Sequence, residues 1–531
     1  MSSVSILIIT LLIFIVAYKY YARYLEKNWG IDRTRVTPAN TLKDGVDYVP
    51  SKYPVLMGHH FSSIAGAGPI VGPIVAIAFG WLPAVLWVIV GCVFFGGVHD
   101  MGSIYISTRN EGKSIGEVIK KIIGKKGKLL FISFSYLALI LVVAAFMNIV
   151  ADAFVATPEA LTISLLFMVI SVVFGFFLYK KKSSLLNTSL IGVLGLILCI
   201  YIGNMYPLIV NKNIIILFLV VYIFIASVSP VWILLQPRDY LNSFLLYGII
   251  IGGVLGVILY NPQMTIPMVT SFKVNNDYLF PMLFVTIACG AVSGFHSLVG
   301  SGTTSKQIDS EENIKIVGYG SMLIEGILAI IAIIAAAYLT SGEYSTLMKA
   351  GGPINVFSSG LGEFMRTLGI PLKFGKSFTT LSISAFALTT LDTATRLARF
   401  LFQEFLSEIR NEKNREVVDK LSSKYTATLI TVLLGTILGL KGYLEVWPIF
   451  ASANQLLSAL ALLTLTLWLK ENKKNYMVSI LPMSFMFLVT VVALIFLMAG
   501  NIGNIILFIV SMLLFILALV FFYEAKNHLR I

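Results

Sequence analysis

The stretch Gly58–Pro73, GHHFSSIAGAGPIVGP, sets Gly58, Gly66, Gly68 and Gly72, with Pro69 and Pro73, inside a long apolar segment. His59 and His60 stand just ahead of the break. Glycine costs about 1 kcal/mol and proline about 3 kcal/mol in a helix interior. In lipid, broken backbone survives only where protein or a water-filled cavity covers it. The stretch therefore predicts an interrupted transmembrane helix, with Ala65, Gly66, Ala67 and Gly68 at a substrate or ion site. A fainter copy follows at 295–302, FHSLVGSG, again with a histidine a few residues before a Gly-small-Gly run. Interrupted helices in two halves of a chain are the best sequence pointer to a transporter site. Half-helix N-termini carry partial positive charge and free amides, which suit a carboxylate. The expected substrate contacts are Gly66, Ala67 and Gly68 with His296, Gly300, Ser301, Gly302, Thr303 and Thr304. His296 can bind substrate or carry a proton. His59 and His60 lie nearer the inside mouth, as gating residues.

A third constellation is SAFALTTLDTATRLARF at 384–400. On a helix Thr389, Asp392, Thr393 and Arg396 share a face by the i, i+3, i+4 rule. An ionisable residue at membrane depth is costly and marks function by default. The plainer alternative is that Asp392 only pairs with Arg396 near the inner surface. His99-Asp100 is a second buried polar pair, and Glu325 a third intramembrane carboxylate. Asp152 reads as an interface residue. Arg238-Asp239 reads as a turn in an inner loop.

The elements that must position these residues are transmembrane helices. The chain has 531 residues, 57% of them hydrophobic and 12% charged, with a mean hydropathy of +0.89. That composition belongs to a polytopic membrane protein. Fifteen apolar runs are long enough to span: 3–22, 58–80, 82–107, 129–156, 160–179, 186–208, 214–235, 243–261, 279–303, 317–340, 378–402, 425–440, 446–469, 478–498 and 502–523. With the N-terminus outside and the C-terminus cytoplasmic, 32 of the 39 basic residues fall on inner segments, as the positive-inside rule requires. Topology thus accounts for the net charge of +13, and no nucleic-acid partner is implied. In this topology 58–80 and 279–303 run in opposite directions. The first apolar run lacks a basic leader and a cleavage site and is taken as a retained helix. Cys92, Cys199 and Cys289 lie in apolar runs and give no disulfide or metal spacing. No HExxH or GxSxG motif points to an enzyme. The inner loop 108–128 reads as a short basic amphipathic helix, and the outer stretch 341–377 as a re-entrant helical hairpin.

GHHFSSIAGAGPIVGP, GGVHDMGSIYISTRNEGKSIGE, SGFHSLVGSGTTSKQ and FALTTLDTATRLARFLFQE together resemble the carbon starvation protein A (CstA) family over about residues 1–470. That family is placed with the amino acid–polyamine–organocation (APC) transporters. The resemblance implies an all-α polytopic membrane protein with a leucine-transporter-like core of five plus five inverted helices. The division is then 1–57 peripheral, 58–208 first repeat, 209–278 an inserted helix pair, 279–469 second repeat with the hairpin 341–377 as an outer lid, and 470–531 peripheral. It implies a secondary transporter in the cell membrane that imports peptides or pyruvate. A membrane nutrient sensor and a channel-like facilitator stand as alternatives. Ala387-Leu388-Thr389-Thr390-Leu391-Asp392 is similar to the Ser/Thr pair that, in sodium-coupled members of the fold, closes a sodium site against the first broken helix. Ala65, Thr389, Thr390 and Asp392 are therefore expected to bind the coupling ion, Na+ or H+, with no other cofactor. His99, Asp100 and Arg396 join His59 and His60 in a polar network. The partners are a small-molecule substrate and the bilayer; oligomeric state has no signature.

Overall fold

The computed structural model describes residues 2–44, 47–177, 181, 184–229, 235–274 and 277–529. The basic loop 180–182 falls largely outside them, as does the end of segment 214–235. The chain is an all-α polytopic membrane protein. Among the described residues ten helices are long and apolar enough to cross a membrane, or up to twelve if each of two bent pairs counts as a span. The fifteen apolar runs all carry helix, but not all as single long spans. Residues 279–303 form three pieces, Leu279–Thr286, Ala288–Ala291 and Gly294–Gly302. Lys212–Val228 has 17 residues. Residues 378–402 belong to the polar, 38-residue helix Leu372–Ile409, which is not among the ten.

Tyr53–Ile64 and Gly68–Phe79 are bent by 46° across the predicted break. Ala65 leaves the helix at ψ 59°, and Pro69 opens the next half where its missing N–H costs nothing. The second broken helix lies antiparallel to the first. Its Gly294–Gly302 piece packs on Tyr53–Ile64, and its Leu279–Thr286 and Ala288–Ala291 pieces pack on Gly68–Ala76. Small residues let the backbones meet. A Cβ on Gly68 would stand 2.5 Å from Cys289, and one on Gly72 would run into the Thr286 carbonyl.

The long helices Lys125–Ala156 and Leu372–Ile409 pack along each other, and Leu372–Ile409 also packs on Tyr53–Ile64. Ser341–Arg366 opens with a capping box between Thr340 and Glu343. It breaks at Gly351 and Gly352, the latter at φ 68°, a left-handed value that favours glycine. Its first part reaches the first broken helix, where the Tyr344 hydroxyl donates to the Ile74 carbonyl at 3.0 Å. Its second part buries Val356, Phe357, Leu361 and Phe364.

The predicted amphipathic helix is Ile115–Ile122. Ser114 caps its N-terminus and Ile115, Val118, Ile119 and Ile122 are buried, the spacing of one helix face. Its Lys120 binds Glu408 at 2.7 Å, and Lys128 binds Glu408 and Glu404, each at 2.7 Å. Glu408 lies beyond the apolar part of its helix. Hydrogen bonds from Lys120 and then Lys128 hold its carboxyl down to about 2. A depressed carboxyl stabilises the fold above its unfolded value, near 4.3, and loses that contribution as pH falls through the folded one. The gap in thermal midpoint between wild type and Glu408→Gln, measured in detergent, is therefore expected to be constant above about pH 4.5 and to close toward pH 2. A gap that survives unchanged at the acid end removes the ion pairs as its cause.

Candidate functional site

The two breaks meet at a buried polar centre. Trp81–Arg109 carries a π-helical turn at Cys92–Gly96 and then His99 and Asp100. Lys315–Gly320 is also π-helical and leads into the helix that carries Glu325. Such bulges frequently sit at functional sites. Asp100 Oδ1 accepts from His99 Nδ1 at 2.7 Å, and Oδ2 from His296 Nδ1 at 2.8 Å. His296 Nε2 lies 3.5 Å from Glu325 Oε2. All four side chains are buried, none more than 1% exposed. His296 thus stands between Asp100 and Glu325. The sequence marks Glu325 as an intramembrane carboxylate, for a structural contact or a coupling role, but does not pair it with His296.

The second break falls at Ile287–Ser293, earlier than the Gly-rich motif suggested. Val292 and Ser293 are extended, with φ −164° and −134°. The cause is a capping residue from another helix: Asn454 Oδ1 accepts from the Phe295 amide at 2.9 Å, and Asn454 Nδ2 donates to Ser293 Oγ at 3.0 Å. Gly300, Ser301 and Gly302 are instead the last residues of the Gly294–Gly302 helix. Ser301 Oγ donates to the Ser297 carbonyl, and Thr303, which is exposed, to the Val299 carbonyl. Thr304 Oγ1 binds His60 Nδ1 at 2.8 Å. His60 is buried there, and His59 is half-buried. These residues therefore join the two broken helices at one end rather than at their breaks.

That end is covered by a strap from the peripheral segment 1–57. Val36 and Ser51 bridge to Ser310 and Ile308, and Thr37 Oγ1 donates to the Ile308 carbonyl at 2.6 Å. Buried Glu311 accepts from Arg109 at 2.8 Å and from the Asp32 amide at 3.0 Å.

The Thr389-Thr390-Asp392 group is divided by its helix. Thr390 faces the first break: a Cβ on Gly66 would run into its Oγ1, which has no partner. Thr389 and Asp392 turn the other way. Arg238 donates to Asp392 Oδ2 at 2.5 Å, to Asp239 Oδ1 at 3.2 Å and to Thr389 Oγ1 at 3.2 Å. It also binds the Tyr222 hydroxyl, which donates to Asp392 Oδ2 at 2.8 Å. Thr389 Oγ1 donates to Asp239 Oδ1 at 3.0 Å and accepts from Asn242 at 3.0 Å.

Two sequence readings are corrected here. Arg238-Asp239 is not a loop turn: both residues are buried in the helix Leu235–Tyr260. Arg238 pairs with Asp239 beside it and also with Asp392, 154 residues on, a partner that its own segment does not reveal. Nor does Asp392 pair with Arg396. Arg396 donates at 2.7 Å to the Ala226 and Ser229 carbonyls, and Arg399 to that of Ser227. These are the orphan carbonyls at the end of Lys212–Val228, which cations satisfy.

The model of the family described as carbon starvation protein CstA matches residues 2–351 and 342–493. The chain is 32% identical over 563 residues to the peptide transporter CstA of Escherichia coli K12, covering 92% of this chain and 80% of that protein. It is 31% identical over 570 residues to the pyruvate/proton symporter BtsT of the same strain, covering 89% and 78%. With the peptide transporter CstA of Bacillus subtilis 168 the identity is 32%, over 92% of this chain and 89% of the relative. With two broken helices joined at a buried centre and matches along nearly its whole length, the chain belongs to the carbon starvation protein CstA family.

Proposed function

We propose that this protein is a secondary transporter that imports small carboxylate-bearing nutrients, peptides or pyruvate, by alternating access and with a proton as the coupling ion. One observation carries the reading: two antiparallel broken helices whose interruptions meet at a buried, titratable centre. Relatives named as a peptide transporter and a pyruvate/proton symporter support it. A five-plus-five inverted core accounts for the pairing of Lys125–Ala156 with Leu372–Ile409, the third helix of each proposed repeat. The substrate carboxylate would lie against Gly66, Ala67 and Gly68 and the start of Gly294–Gly302, where amides and helix dipoles favour an anion. His296 borders that position. Gly300–Thr304, His59 and His60 would act in the gate at one end.

The donor set favours H+ over Na+. A hard cation needs several free oxygens. Thr389 Oγ1 is bound by Asp239, Asn242 and Arg238, and Asp392 by the Arg238 guanidinium. Thr390 at the first break is left alone, and the residues do not fit a sodium ion. Reconstituted protein is expected to accumulate pyruvate or a dipeptide under an inward proton gradient, with little added by a sodium gradient. Uptake driven by sodium alone reverses the ion assignment, and no response to either gradient ends the symport reading.

A further inference from the structure

We propose that His296 and Glu325 hold the transported proton between them. This rests on the transporter reading and assigns the proton to atoms. Asp100, when ionised, can only accept hydrogen bonds. It takes one from His99 Nδ1 and one from His296 Nδ1, so both Nδ1 atoms carry hydrogen. The titrating position of the His296 ring is then Nε2. It faces Glu325 Oε2 at 3.5 Å. Neither oxygen of Glu325 has a hydrogen-bond partner, although Glu325 is fully buried, and besides Glu325 and Asp100 the His296 ring is faced by the Ile64 backbone carbonyl, a further acceptor for its proton. Without a proton the two facing atoms are both acceptors, and Asp100 and Glu325 leave two negative charges in the dry interior. One proton, on either atom, turns the pair into a donor and an acceptor and lowers the net buried charge by one, by neutralising Glu325 or by setting an imidazolium against it.

No other charge does this. The titratable groups that bear on Glu325 are His296 and Asp100. Around them stand His99 and His60, the latter held by Thr304, and the thiols Cys92 and Cys289. No lysine or arginine is among them. Since the centre is closed to water, the proton is kept while the site is occluded and released when it opens.

The same geometry links proton to substrate. His296 lies in the first turn of Gly294–Gly302, whose positive end opposes an imidazolium. A substrate carboxylate at the break offsets that opposition, so each ligand raises the affinity for the other by the same factor.

Glu325→Gln mimics the permanently protonated pair. Accumulation of pyruvate and of dialanine under a proton gradient is expected to fall about tenfold or more, while exchange of labelled substrate at equal pH persists. Gradient-driven accumulation at the wild-type level in Glu325→Gln overturns the assignment. If wild type itself ignores the proton gradient, the transporter reading fails instead, so the two failures are distinct. Glu325→Asp covers the case in which the Gln variant does not assemble. It keeps the carboxyl but withdraws it from His296, and the pH profile of uptake is expected to shift; an unmoved profile rejects the pair as the proton's holder, since a purely structural carboxyl would leave it in place.

Discussion

Replacing Arg238 by Met is expected to destabilise the protein by about 3–5 kcal/mol, the cost of removing one partner from a buried ion pair. Arg238 is 1% exposed and ties together three helices: Lys212–Val228 through Tyr222, its own through Asp239, and Leu372–Ile409 through Asp392 and Thr389. Its removal leaves two carboxylates and no cation in a dry interior. Asp392→Asn is expected to cost less, because Arg238 keeps Asp239, Thr389 and Tyr222. The double variant should recover part of the loss, since removing both members of a pair avoids the unpaired charge. Thermal unfolding of the four proteins in detergent measures this directly. Strict additivity would mean that the pair does not act as one.

That network also marks the boundary of what the sequence disclosed. Breaks, helices and their order are local properties. Gly66, Gly68 and Pro69 together make a continuous helix costly, so the first interruption could be read residue by residue. The second could not. The Gly-rich run at 300–302 looked like a break, yet a helix tolerates single glycines at its end. The true interruption at Ile287–Ser293 depends on Asn454, which caps the next piece from 159 residues away. Likewise Asp392 had a visible neighbour one turn along, Arg396, and an invisible partner, Arg238. Positive charge on one helix satisfied by carbonyls or carboxylates of another leaves no trace in either segment's periodicity. His296 and Asp100 were legible as costly polar residues; that they share a hydrogen bond, with Glu325 beyond, required the packing of three helices. What stayed hidden was a distant partner of each charge: Arg238 meets Asp392, Glu311 meets Arg109, and Glu325 faces His296.

The contact between the breaks makes the sharpest claim on motion. Gly68→Ala and Gly72→Ala are each expected to cost about 1–3 kcal/mol, the usual cost of overpacking, and to reduce substrate uptake more than stability alone accounts for. Both put a methyl group where the second broken helix lies, but against different atoms. At Gly68 the obstacle is a side chain, the Cβ and Sγ of Cys289, both 2.5 Å from the added carbon. At Gly72 it is backbone, the Thr286 carbonyl with Ile287 Cα at 3.3 Å. Cys289→Gly should therefore rescue Gly68→Ala, because it deletes the atoms in the way. Thr286→Gly should not rescue Gly72→Ala, because the carbonyl remains. Uptake and thermal midpoint of the two double variants read out the difference as coupling energies. Rescue in both pairs, or in neither, would show that the two backbones do not meet at the breaks as described. If the predicted asymmetry holds, the close approach at Gly72 is a fixed constraint on alternating access. Any movement that separates the halves must then carry Gly68–Ala76 and Leu279–Thr286 together as one body, and the hinge must lie at Ala65–Ala67 and Ile287–Ser293, where the helices are already open.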